Sequence, residues 1–212
     1  DPGHGYGKSA TTIDPGAVGE VVEQEVVLAI SKELTSQLKA AGANVVRLKT
    51  ESQFLLTKER PIYARGYGCD IYLSIHANKS LVDGSARGVE VYYFTSYSQP
   101  LAAKISESIA TYYANYAYAD GAYRDRGAKY SYFQVTLQQD FPSVLVETGF
   151  VNEINDAMTL ASPTHQKGIA AAIVTGIKNY LSRSSISYAS DGSSNADYTE
   201  NDNAVTEDNN TE

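Results

Sequence analysis

The feature that most limits what this chain can fold into is the alternation of two apolar periods along residues 1–181. Helical spacing of three and four recurs at Val27, Ile30, Leu34, Leu38 and Ala41, a stripe that stops at Gly42. Short extended segments separate stripes of this kind. NVVRLKT, IYLSIHAN, GVEVYYF and SVLVETGF read as strands, the second with Ile71, Leu73 and Ile75 on one face. A helical stretch around Thr57 to Arg65 must hold Pro61 in its first turn or kink there. PLAAKISESIATYYANY is helical by spacing, and HQKGIAAAIVTGIKNYL closes the unit with Ile169, Ile173, Ile177 and Leu181 four apart. The alternation predicts an α/β three-layer sandwich with a mostly parallel or mixed central sheet flanked by helices on both faces, any antiparallel strand lying at an edge.

From Ser182 the pattern stops. Residues 182–212 are rich in Ser, Asn, Asp and Glu, and they carry seven acids against one base, Arg183, out of a net charge of −8 for the whole chain. Such a segment cannot bury enough surface to offset its ordering entropy, so it reads as an acidic linker or tail beside a single folded unit of residues 1–181. A near-neutral body with an acidic tail offers no basic surface, which excludes nucleic acid as a partner. No run approaches the roughly 18 to 20 apolar residues of a membrane helix, so no membrane insertion is expected. The opening DPGHG is a turn that normally follows a strand; a few upstream residues and any signal peptide are expected to be missing. Cys69, the single cysteine, allows no internal disulfide and is read as filling space.

Two of the three histidines fall where an open α/β sheet places its ligand sites, just past the carboxyl ends of strands. His4 lies in the glycine-rich turn DPGHGYG, and His76 ends the strand IYLSIHAN. Two neutral imidazoles at one rim form two-thirds of a hydrolytic zinc site of the His, His, carboxylate type, which leaves a fourth position for water. His165 follows Ser162, Pro163 and Thr164 at a helix start and is read as structural.

The third ligand must come from Glu20, Glu23 or Glu25. Glu23 lies four residues before Val27 and extends the inward row 23, 27, 30, 34, 38. Glu25 shares the solvent face with Lys32 and Glu33, and Gly19 argues against a helix long enough to include Glu20. Glu23 is therefore the expected ligand. Glu147, after Val144, Leu145 and Val146, should surface at the same rim. A carboxylate there can take a proton from water and pass it to a leaving nitrogen, or it can be a structural acid paired with Arg124 or Arg126.

In order, DPGHG, DPGAVG, EQEVVLAISKEL, ERPIYARGYGCDIYLSIHAN, ARGVEVYYF, RDRG and FPSVLVETGFVNEINDAMTL resemble the catalytic domain of the N-acetylmuramoyl-L-alanine amidases of the amidase_3 family. These bacterial autolysins and phage lysins cut peptidoglycan. The resemblance covers about residues 1–181 and implies one Zn2+ per chain held by His4, Glu23 and His76, with Glu147 as catalytic base. It implies hydrolysis of the amide between N-acetylmuramic acid and L-alanine by a secreted, cell-wall or phage-encoded enzyme, acting as a monomer or joined to a wall-binding module. A zinc peptidase of the stem peptide, a glycosidase, and an inactive wall-binding module on the same scaffold are the competing readings.

The sequence departs from that family in two places. YGKSATTI lengthens the loop after His4, and VNEIND stands where the family often has a Ser-Asn pair. The 17 tyrosines, clustered at Tyr92 and Tyr93, Tyr112 and Tyr113, and Tyr116 and Tyr118, read as boundary residues with buried rings and wet hydroxyls. Tyr6, next but one to His4, is the candidate for touching substrate.

Overall fold

A computed structural model describes residues 1–9, 12–49, 55–118 and 124–184, with backbone alone for 6–9, 12, 183 and 184. The acidic tail beyond Ser184 and the Tyr6 side chain lie outside the described residues. The chain runs β1 (Gly5–Ser9), β2 (Thr12–Asp14), α1 (Glu23–Ala40), α2 (Arg60–Gly66), β3 (Tyr72–Asn78), β4 (Val89–Tyr93), α3 (Gln99–Tyr112), β5 (Asp125–Tyr130), β6 (Ser143–Phe150), α4 (Ile154–Ala161) and α5 (Pro163–Ser184). The lengthened loop after His4 is the antiparallel hairpin β1–β2.

The central sheet is mixed, in the order β3–β6–β4–β5. β3 and β6 are parallel, as are β4 and β5, and the antiparallel pair is β4 with β6. The direction change therefore lies at the centre of the sheet, not at the expected edge. Its cause is the link 79–88, too short for the helical crossover that a parallel neighbour needs, so β4 turns back and β6 inserts between the two.

NVVRLKT does not form the expected strand; residues 43–49 have no ladder among the described residues. The outer edge of β3 is taken instead by residues 1–3, through Gly3 N–H to the Ile75 carbonyl and Ile75 N–H to the Asp1 carbonyl, each 2.9 Å. The buried carboxylate of Asp1 ties that segment down, accepting from Tyr72 Oη at 2.6 Å, Ser74 Oγ at 3.1 Å and Arg60 at 3.2 Å. Pro61 sits in the first turn of α2, as its fixed φ requires.

One face of the sheet carries α1, α3 and α5, with Val27, Ile30, Ile105, Ile109, Ile169 and Ile173 fully buried. Each contributes about 1.5 to 3 kcal/mol by leaving water. Leu181 does not join them and is 51% exposed. Steps of four residues drift by about 40° each on a 3.6-residue helix, so the third step leaves the buried face. The opposite face is thinner: Ala64 of α2 and Val135 of a 3-10 turn at Gln134–Thr136 pack with Tyr72, Phe141 and Leu145. That sparse cover leaves a cleft beside the carboxyl ends of β3 and β6.

The tyrosines divide. Tyr113 is buried whole and its hydroxyl donates to the Thr148 carbonyl at 2.6 Å, so the expected wet hydroxyl is corrected there. Tyr116 is 70% exposed.

Candidate metal centre

His4, Glu23 and His76 converge, with one ligand atom from each lying within 4.8 Å of the others. Three elements deliver them. His4 takes a left-handed backbone, φ 56°, immediately before β1. Such a conformation is uncommon for a residue with a side chain and persists only where its surroundings over-determine it. Glu23 opens α1, and His76 lies near the end of β3. The backbone must approach closely for this: a Cβ on Gly3 would lie 2.4 Å from the His76 ring, and one on Gly16 2.5 Å from Glu23 Oε2. Glu20 and Glu25 are exposed and stand outside the cluster.

The orientation of each group follows from its partners. Glu23 Oε1 lies 2.8 Å from His76 Nδ1 and accepts from Ala77 N–H at 3.1 Å; Oε2 lies 3.1 Å from His4 Nε2 and accepts from Ala17 N–H at 2.7 Å. Burial alone would raise the Glu23 pKa, but the two imidazoles hold it well below the carboxylate range. His4 Nδ1 lies 2.9 Å from Asp14 Oδ2. Asp14 also resists protonation: burial raises its pKa, but the bonds to His4 and Gly16 N–H outweigh it and lower it. An ionised Asp14 is an acceptor only, so His4 Nδ1 carries a proton, and Nε2, beside Glu23, is the nitrogen left to a cation. Burial lowers the His4 pKa, and the bonds and charges of Glu23 and Asp14 reverse the shift and raise it. His76, more deeply buried, is lowered by desolvation against the pull of Glu23.

Two imidazole nitrogens and one carboxylate facing a common point are the donor set of a mononuclear hydrolytic zinc site. These residues fit a divalent cation. The cluster lies in a cleft of about 420 Å3 that Arg60, Lys79, Phe133, Gln134 and Glu147 also line.

Glu147 is the register partner of His76 across β3 and β6, and of Glu90 across β6 and β4. It is 8% exposed, and among the described residues its Oε2 has no hydrogen-bond partner. Burial, then the charges of Glu23 and Glu90, push its pKa well above the usual carboxylate value. Arg126, considered as a partner for Glu147, binds Glu90 at 2.7 Å instead, and Lys129 reaches the same Glu90 oxygen. His165 lies away from the cleft and pairs with the Tyr112 hydroxyl at 2.9 Å.

Sequence reasoning missed Asp14, Glu90 and the basic pair on it. Asp14 and Glu90 stand inside the DPGAVG and ARGVEVYYF motifs, so position alone was a signal, but their partners are set by the hairpin and by β5. VNEIND also has a clear local role. Asn152 holds Ser80 by both backbone groups, at 3.0 and 2.9 Å, and Glu153 caps α4 by accepting from Asp156 N–H at 2.8 Å.

A mixed α/β sheet here gathers a His, His, Glu donor set beside a buried carboxylate, an arrangement of the hydrolase class. The chain belongs to the Amidase_3 family, N-acetylmuramoyl-L-alanine amidase, whose family model matches residues 1–179. It is 36% identical over 181 residues to YqiI of Bacillus subtilis (strain 168), covering 85% of this chain and 82% of that one. The identity is also 36% over 181 residues to the N-acetylmuramoyl-L-alanine amidase LytC of the same organism, covering 85% of this chain but only 34% of LytC. Among solved structures, the amidase AmiC2 of Nostoc punctiforme is similar with a TM-score of 0.74 at 32% identity, covering 86% of this chain and 94% of that one. The catalytic domain of CwlV from Bacillus (Paenibacillus) polymyxa var. colistinus gives 0.73 at 30%, covering 85% and 94%.

Proposed function

We propose that this chain hydrolyses the amide between the lactyl group of N-acetylmuramic acid and L-alanine in peptidoglycan, with one zinc ion held by His4 Nε2, His76 Nδ1 and a Glu23 oxygen. The observation that carries the reading is the pairing of that donor set with Glu147, a buried carboxylate whose Oε2 has no hydrogen-bond partner among the described residues, in one cleft and in register with His76. The chemistry zinc supplies in such a site is polarisation of a carbonyl and acidification of water.

The remaining work falls to the chain. Glu147 takes the proton of the attacking water and delivers it to the leaving alanine nitrogen, acting as base and then as acid. Its raised pKa suits the second step, because a weakly acidic carboxylic acid forms readily and then gives its proton to a strongly basic amine. Asp14 fixes the His4 tautomer, and Asp1 with Arg60 anchors the turn that carries His4. Residues 1–181 are the catalytic unit in this reading, and the acid-rich segment 182–212 is a linker or tail. The enzyme acts on the cell wall from outside the cell or from a phage, as a monomer.

The test is digestion of purified walls with zinc-loaded protein, followed by mass spectrometry. Intact stem peptides with a free L-alanine amine are the expected product. Free reducing sugar ends would replace the amidase reading with a glycosidase, and cuts within the stem would replace it with a peptidase. A zinc-loaded protein that binds walls without releasing anything would make it a binding module.

A further inference from the structure

Beyond the metal cleft, the carboxyl ends of β4 and β5 carry a cluster of three aromatic rings. The Phe94 and Tyr130 rings stack at 5.7 Å, and Tyr132 packs on both, at 5.2 and 5.3 Å. Tyr130 is 53% and Tyr132 70% exposed, so neither follows the ordinary pattern of a boundary tyrosine with its ring buried. Phe133, the next residue, lines the metal cleft and packs edge-on against Tyr92 at 4.8 Å. Tyr132 is thus the chain neighbour of a residue that lines the cleft.

We propose that Phe94, Tyr130 and Tyr132 form a platform for the glycan strand, stacking on sugar rings outside the metal cleft. This rests on the peptidoglycan reading above. A substrate cut between sugar and peptide leaves the cleft in two chemically different directions, one a chain of uncharged pyranose rings and the other an acidic peptide. The platform suits the first. Flat rings match the C–H face of a pyranose, tyrosine hydroxyls match its polar edge, and an exposed contiguous apolar patch of this kind marks a binding surface. The neighbouring cations do not redirect it toward an acidic peptide, because Arg126 and Lys129 are both engaged by Glu90.

The test compares wild type with a Tyr130→Ala/Tyr132→Ala double variant, whose exposed positions leave the core untouched. Two substrates are used: long-stranded purified walls, and a soluble single-disaccharide muramyl peptide that reaches only the cleft. The double variant should lose about tenfold in kcat/KM on walls, through KM, while keeping its rate on the short substrate. Tyr130→Phe/Tyr132→Phe should retain most of the wall activity. Equal loss on both substrates, or loss on neither, overturns the platform. A separate arm measures sedimentation of each protein with glycan strands stripped of peptide, which contain no amide for the proposed reaction. Binding by wild type that the double variant loses supports the platform, and no binding by wild type overturns it. If wild type cleaves neither substrate, the amidase reading fails while this arm still decides the platform.

Discussion

Glu23 and Glu147 are buried carboxylates of one cleft, yet the fold holds them in opposite ways. Glu23 faces four nitrogens, two from backbone and two from imidazole, and burial is outweighed. At Glu147 burial is reinforced by neighbouring negative charge. The difference is not depth, since both are under a tenth exposed. It comes from partners: Glu23 has its four nitrogens, while Arg126 and Lys129 are drawn to Glu90, the register partner of Glu147 on β4. A carboxylate surrounded by donors makes a fixed anionic ligand; one deprived of them makes a proton carrier.

The comparison breaks most visibly at Glu23. Glu23→Ala, like His4→Ala, should lose zinc and all measurable hydrolysis, while Glu25→Ala keeps both; metal analysis beside a wall-digestion assay checks this. Zinc and activity retained in Glu23→Ala but lost in Glu25→Ala would reverse the assignment. Next, Glu147→Gln should keep its zinc and lose roughly a thousandfold in kcat, within the range for removal of a general base. Asp14→Ala should weaken zinc binding by about tenfold to a hundredfold, read by competition with a chelator, because His4 loses the acid that fixes its tautomer.

Smaller effects sharpen the contrast through pH. In its proposed role as base, Glu147 must be ionised, so kcat/KM should fall as pH drops through its raised pKa, with a midpoint above the ordinary value of about 4.3. Glu90→Gln removes one cause of the rise and should move that midpoint down, by about one pH unit or less. Stability runs the other way. An acid whose folded pKa lies above its unfolded one costs stability once ionised, so Glu147→Gln should melt higher than wild type in metal-free protein at pH 8. The gain should be about 2 to 4 °C for each kcal/mol relieved and should vanish in acid, where wild-type Glu147 is protonated; calorimetry at both pH values measures it.

Much of this was legible in the sequence, and the boundary has a physical reason. Helical phase singled out Glu23 because the inward row of α1 is set locally, and strand patterning placed His76 and Glu147 because β3 is a half-buried strand and β6 a wholly buried one. What periodicity could not supply was pairing. The central antiparallel contact, the loss of the NVVRLKT strand to residues 1–3, and the capture of Arg126 by Glu90 depend on which segments meet. The same limit hid Asp14, whose role appears only when the hairpin brings it back to His4.

That hairpin leaves His4 and returns at Asp14, with Gly5 paired to Asp14 at its base. The first rung thus closes the segment off from the site, so its outer part can lengthen, shorten or change composition without moving the imidazole or the acid that orients it. Evolution, or an engineer, could graft a different tip there and retune which walls the enzyme accepts while inheriting the chemistry intact.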